Sequence, residues 1–400
     1  MAGRRRASGT RVVVALCLLL VSLVGCGGRP ATDSARAEVQ RVLDVRAAAV
    51  LDRDRAAFLR TGAQDWFGNL RAVPLADWSY RLTRLHRTGD TATAEAELRY
   101  RVQGYDRAPV TAGRTLSLSL DAGGGWYVED DRPAKGSAEQ LWDQGQVNVV
   151  RGQRSLVMGA GRSAAALRQY AELADDAVPA VSQAWGTDWA RRIVVLVPAS
   201  LADMAGLLAS PASSYRGIAA VTTGETGAPA NAPADRIIVN PDAYGVLGAA
   251  GKQVVLTHET THVATRAHTT AATPLWLSEG YADWVGYLGS GRSPSQAAPE
   301  LWHAVTEGRV PQELPADADF GFTGDSGRLA RAYESGWMAC RMIAERWGEV
   351  GLVEFYRAVG AHKERAGAVE GALEDVLGTS PAEFTGEWRE YLRAQFGGSS

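Results

Sequence analysis

The sequence predicts an α+β protein built in two parts, and three observations carry that prediction. Period-two alternation is strong between residues 78 and 130, helical spacing dominates the chain after residue 240, and a short polar Pro/Gly/Ser stretch at 132–137 separates the two regimes. Four hundred residues suffice for two or three domains, and 46% apolar with 22% charged residues is globular composition, so disorder is not the expected state. A formal net charge of -3, with no clustered basic run in the body of the chain, argues against an electrostatic nucleic-acid binder.

Taken in order, the chain opens with Arg4-Arg5-Arg6 and Arg11, then an apolar run over 12–24 that Leu23-Val24-Gly25-Cys26 closes. The run is short for a permanent span and has the proportions of a secretory signal. Its closing tetrapeptide resembles the bacterial lipobox. That resemblance implies removal of residues 1–25, lipidation of Cys26 (palmitate among the chains), and a protein tethered to the outer face of a membrane. Residues 26–36 are small and polar and read as the tether. Of the three cysteines, Cys17 and Cys26 belong to this leader, so no internal disulfide is expected and Cys340, in an apolar helical run, reads as a buried thiol.

Residues 37–132 read as a small α+β domain. Helical spacing over 38–60 (Val39, Val42, Leu43, Val50, Leu51, Phe58) precedes alternating strands at 78–85, 91–103 and 115–130, with turns at Gly89-Asp90 and at 121–125. Helices followed by an antiparallel meander resemble, in element order, the nuclear-transport-factor-2-like cone. Asp65, Trp66, His86 and Tyr105 are scattered and form no catalytic set, so the expected role is a spacer or partner-binding module. Residues 146–158 read as an extended piece belonging to either side of the linker.

The remainder, 137–400, begins with a helix over 162–185 and a continuous apolar strand at 192–197, apolar on both faces as in a sheet interior. Two more strands follow at 217–223 and 235–240. They lead into Gln253-Val254-Val255-Leu256-Thr257 and then His258-Glu259-Thr260-Thr261-His262. Two histidines four residues apart lie on one helical face and can reach one ion, with Glu259 beside them to handle a water. After Thr273-Pro274 a second helix carries Leu275-Trp276-Leu277-Ser278-Glu279-Gly280-Tyr281-Ala282-Asp283-Trp284. A catalytic zinc site needs three protein ligands and an open position, and Glu279 is placed to be the third. Asp283, one turn on, can accept the outer N–H of a ligating imidazole. The tail reads as helices over 328–347, 350–359, 369–377 and 381–396.

H-E-T-T-H followed by W-L-S-E-G-Y-A-D-W resembles the gluzincin metallopeptidases, in particular the aminopeptidase N-like (peptidase MA-like) group. Ala332-Tyr333-Glu334-Ser335-Gly336-Trp337 is similar to that group's Y-E-K-G segment. The resemblance covers about residues 240–345. It implies a gluzincin-type catalytic domain, Zn2+ on His258, His262 and Glu279, Glu259 as the water-activating base, and Tyr333 as the donor to the oxyanion. His268 and His303 are alternative donors. The group's amine-binding acid has no match, since the nearest stretch, Gly217-Ile218-Ala219-Ala220-Val221-Thr222, has an alanine there. An endopeptidase acting on a peptide or protein is therefore expected rather than an aminopeptidase. An edge strand before the zinc helix suits the pairing of an extended peptide. Two other readings use the same residues, a surface binding module on a peptidase-like scaffold and a zinc amidohydrolase with a non-peptide substrate. Intact Glu259 speaks against a mere scaffold.

Overall fold

The computed structural model describes residues 31–63, 66–224, 232–321 and 326–397. The expected signal segment, Cys26 and Asp65 lie outside them. Among the described residues no helix is long and apolar enough to cross a membrane.

The first helix, α1 (Ala31–Leu51), includes part of the stretch expected to be a flexible tether. Its early turns carry alanines, good helix formers, and Ala35, Val39 and Leu43 are buried beneath the following sheet. The helical spacing over 38–60 resolves into two helices. Arg53 adopts a left-handed φ of 59°, its guanidinium reaches the carbonyl oxygens of Leu70 and Val73, and Asp54 caps α2 (Arg55–Arg60) by accepting from the Ala57 amide at 2.9 Å. A short α3 (Phe67–Leu70) leads into the strands.

These strands form the antiparallel meander that the alternation predicts: β1 (Leu75–Thr88), β2 (Thr91–Val102), β3 (Val110–Leu120) and β4 (Trp126–Pro133), in sheet order β1-β2-β3-β4. One face buries Trp78, Tyr80, Leu98, Tyr100, Leu116 and Val128, while the other carries exposed cross-strand pairs such as Arg84 with Glu95.

The extended piece at 146–158 resolves into a hairpin, β5 (Val147–Arg151) and β6 (Ser155–Ala160), which belongs to a second sheet. Then come α4 (Ala164–Trp185), β7 (Ile193–Val197), α5 (Leu201–Leu207), β8 (Ala220–Thr222) and β9 (Arg236–Val239). The order is β5-β6-β7-β9-β8; β6, β7 and β9 run parallel, and the two outer strands run antiparallel to their neighbours. The edge nearest the zinc motif is thus β8, with β9 inside the sheet.

Both faces of this sheet are covered, which explains the continuous apolar run. Val194 and Leu196 join the core that contains Trp78, Tyr100 and Trp142, whereas Ile193, Val195 and Val197 join the core under α4, with Leu167, Ala174 and Val178. One hydrophobic core therefore spans the expected linker at 132–137. Buried charges reinforce it. Arg114 of β3 donates to Asp131 and to both oxygens of Asp143, and Arg236 of β9 forks onto Asp106 at 2.8 and 2.9 Å.

The chain continues through α6 (Pro241–Gly245), α7 (Ala249–Thr265), α8 (Leu275–Tyr287), α9 (Pro294–Ala297), α10 (Pro299–Thr306), α11 (Ser326–Ala361), α12 (Ala368–Ala372) and α13 (Pro381–Phe396). Non-helical torsions at Gly348 break α11, matching the two helices expected over 328–347 and 350–359. Helices α7 to α13 share a third core that includes Trp276, Trp337, Tyr356, Trp388 and the fully buried Cys340, while Tyr244 of α6 joins the core under α4.

Candidate metal centre

The motif helix α7 is buried on almost every side, which would strand polar side chains unless they were satisfied locally. The two middle threonines meet this by donating to carbonyls one turn back, Thr260 to Leu256 at 2.6 Å and Thr261 to Thr257 at 2.8 Å. His258 and His262 thereby turn to the remaining face. There His258 Nε2 and His262 Nε2 lie 3.0 Å apart, and Glu279 Oε2 of α8 is 3.3 Å from the first and 3.4 Å from the second.

These atoms fit a zinc ion. Tetrahedral bonds of about 2.0–2.1 Å place ligand atoms about 3.3 Å apart, close to the observed triangle. His258 Nδ1 lies 2.8 Å from Asp283 Oδ1, so the ring proton belongs on Nδ1 and the Nε2 lone pair faces the centre. The electrostatics agree. Burial would lower the His258 pKa, but Asp283, Glu279 and Glu259 outweigh it and hold it well above its ordinary value. Glu279, despite burial, is held well below the carboxylate range by the two imidazoles. The pocket is a place where positive charge is stabilised. Among the described residues this is the only group of three His, Cys, Asp or Glu side chains with metal-ligand spacing.

Glycine sets how α8 reaches this point. A Cβ on Gly280 would lie 2.3 Å from the Gly336 backbone, and one on Gly336 would lie 2.5 Å from the Trp276 carbonyl oxygen. Helices α8 and α11 thus cross backbone to backbone, one residue from Glu279 and three from Tyr333.

Glu259 is 6% exposed and points into the same pocket, with its Oε2 accepting from Thr222 Oγ1 of β8 at 2.6 Å. The Thr222 hydroxyl also lies 3.1 Å from the Glu259 carbonyl oxygen, which pins the motif helix to the edge strand. Tyr333 lines the pocket with its ring 6.5 Å from that of His258. Burial, then Glu279, Asp283 and Glu259, push its hydroxyl well above its ordinary pKa, so it stays protonated and donates to Glu279. The structure therefore brings His258, Glu259, His262, Glu279, Asp283 and Tyr333 together. It does not bring the alternative donors: His268 stacks edge-on against Trp185, His303 lies beside Trp302, and neither lines the pocket. His86 is exposed on β1.

Three residues of the pocket were not anticipated. Thr222 had no signal, because its role depends on where β8 docks. Arg266 had one, lying a turn beyond His262 on the same helical face. It pairs with Asp235, and the two form one wall of the pocket.

No protein-family model matches this chain, and no curated protein sequence does. Among solved structures, it is similar to an M1 zinc metallopeptidase of Deinococcus radiodurans (12% identity, 82% of this chain and 94% of that one, TM-score 0.36). A variant of that peptidase bound to a Tyr-Ser-Ala substrate gives 11% identity over 82% and 94% of the two chains, at the same TM-score of 0.36. Native yeast LTA4 hydrolase gives 10% identity over 81% of this chain and 59% of that one, at TM-score 0.34.

Proposed function

We propose that the protein is a zinc metallopeptidase that cleaves within peptide chains and is held on the outer face of a membrane by a lipid on Cys26. The observation that carries the peptidase reading is the convergence of His258, His262 and Glu279 to within 3.4 Å of one another, with Glu259 in the same pocket beside the edge strand β8.

A zinc ion held by these three residues would polarise the scissile carbonyl and bring the pKa of a water it binds to about 7. The chain's own groups do the rest. Backbone groups of β8 accept an extended peptide as an added strand. Thr222 holds Glu259 Oε2 and leaves Oε1 to take the proton of the attacking water and return it to the departing amine. The Tyr333 hydroxyl donates to the oxyanion as the carbonyl becomes tetrahedral. Asp283 keeps the Nδ1 proton on His258.

Cleavage inside chains is favoured because no acid in the described lining is left to bind a substrate ammonium. The acids there are Asp235, Glu259 and Glu279, of which Asp235 is paired with Arg266 and the other two serve the metal chemistry; β8 itself carries Ala220. The test is zinc content and cleavage of casein and of an amine-blocked peptide library by wild type and Glu259→Gln. Equal zinc with cleavage lost in Glu259→Gln is expected. Zinc-free wild type, or cleavage unchanged by the substitution, overturns the reading. For the anchor, Cys26→Ser is expected to release the protein from membranes, and its retention there overturns the tether.

A further inference from the structure

A second cavity, of about 450 Å³, lies between the N-terminal meander and the second sheet. Its walls are largely apolar. Val102 and Val110 come from the meander, Trp142 from the connection, and Met158, Leu196 and Ile238 from the inner face of the second sheet. The cavity shares Thr223, Gly224, Asp235 and Arg266 with the metal pocket, so the two adjoin at the C-terminal end of the edge strand. Gly224, at φ 148°, is needed at this junction, because a Cβ there would lie 2.0 Å from Asp235 Oδ1 and 3.2 Å from Arg266 Nε.

Building on the peptidase reading, we infer that this cavity is the substrate's main specificity pocket. It receives a bulky apolar side chain, leucine- or phenylalanine-sized, from a residue on one side of the scissile bond, so the N-terminal domain supplies part of the active site. Three observations favour this occupant. A strand added along β8 past Thr222 reaches Thr223 and Gly224, which open onto the cavity. The lining offers apolar surface, and an apolar side chain that leaves water there gains in proportion to the area it buries. Of the charged groups at the cavity, Arg236 is paired with Asp106 and Arg266 with Asp235, and the remaining one, Glu139, accepts from the Gln144 side chain at 3.0 Å, so each already has a polar partner within the protein.

Two rim residues allow a test. Ala138 and Val110 are only partly buried, and tryptophan at either position would fill the cavity. Amine-blocked peptides differing only in Leu, Phe or Ala beside the scissile bond are compared in two ways, by kcat/KM with wild type, Ala138→Trp and Val110→Trp, and by calorimetric binding to the Glu259→Gln protein with and without each tryptophan. Expected is a preference of at least tenfold for Leu or Phe over Ala at one position, in both cleavage and binding, with the ratio collapsing toward one in both tryptophan variants. A ratio is read because a variant that merely folds poorly lowers both terms alike. Cleavage without apolar preference, or a preference that both variants keep, overturns the pocket and leaves the peptidase reading intact. Preferential binding without cleavage by wild type supports the pocket and overturns hydrolysis. Absence of both binding and cleavage overturns both.

Discussion

At the scale of single residues, the centre depends on what surrounds each ligand as much as on the ligands. The hydrogen bond that His258 Nδ1 donates to Asp283 fixes a tautomer, and loss of such a partner weakens metal sites about 10- to 100-fold. Asp283→Asn should shift zinc affinity by that factor in a competition titration with a chelator, and an unchanged affinity would show that the bond is incidental. Tyr333→Phe removes the oxyanion donor together with its hydrogen bond to Glu279. It should lower kcat by about 10²–10³ while zinc content stays equal to wild type, as removal of one such donor does elsewhere; if kcat survives, the tyrosine is structural. That His258 and His262 share one helical face with Glu259 beside them could be read from spacing, because i,i+4 geometry is local, and the motif resemblance added Glu279, which the structure brings to the same point. The role of Thr222 could not be read, since nothing in the residues around it says which helix its strand will meet.

At the scale of elements, the α8–α11 crossing places Glu279 and Tyr333. Gly336→Ala forces a methyl group against the Trp276 carbonyl and should cost about 1–3 kcal/mol, seen as a lower unfolding midpoint, together with weaker zinc binding because α8 must move. Stability loss with zinc affinity intact would separate the crossing from the metal centre. On α11, the buried Glu334 accepts from the Leu301 amide at 2.6 Å and from the Glu300 amide at 3.3 Å, yet burial raises its carboxyl to about 7. The folded pKa lies above the unfolded value near ~4.3, so the folded state keeps a proton that the unfolded state gives up. Its contribution is full below the unfolded pKa and is lost as pH rises through about 7. Wild type should therefore lose more stability than Glu334→Gln between pH 5 and 8, measured by thermal melts; parallel profiles would mean that the two amides keep the carboxylate charged. Both helices were legible from periodicity. Their crossing point was visible only as two glycines inside helical runs, which mark close approach without naming the partner.

At the scale of the whole molecule, the shared core and the buried Asp106–Arg236 pair join the two parts, which should therefore unfold together. Asp106→Ala leaves Arg236 buried without its partner and should cost about 3–5 kcal/mol. The expected calorimetric trace is one transition moved to lower temperature; two separated transitions would show that the meander and the helical part unfold independently.

What the sequence determined by itself is whatever rests on spacing, composition and motif: the meander from its alternation, the helices from their period, and a candidate ligand set from H-E-x-x-H and Glu279. Only the tertiary structure decided that β8 is the edge strand, that α1 includes residues read as tether, that Arg53 divides the first helical stretch, and that the meander packs against the second sheet around a cavity adjoining the candidate metal pocket. The physical reason is range. Local periodicity and ligand spacing are properties of neighbours in sequence, whereas edge position, shared cores and cavities arise from contacts between segments far apart in the chain, such as Asp106 with Arg236 and Thr222 with Glu259.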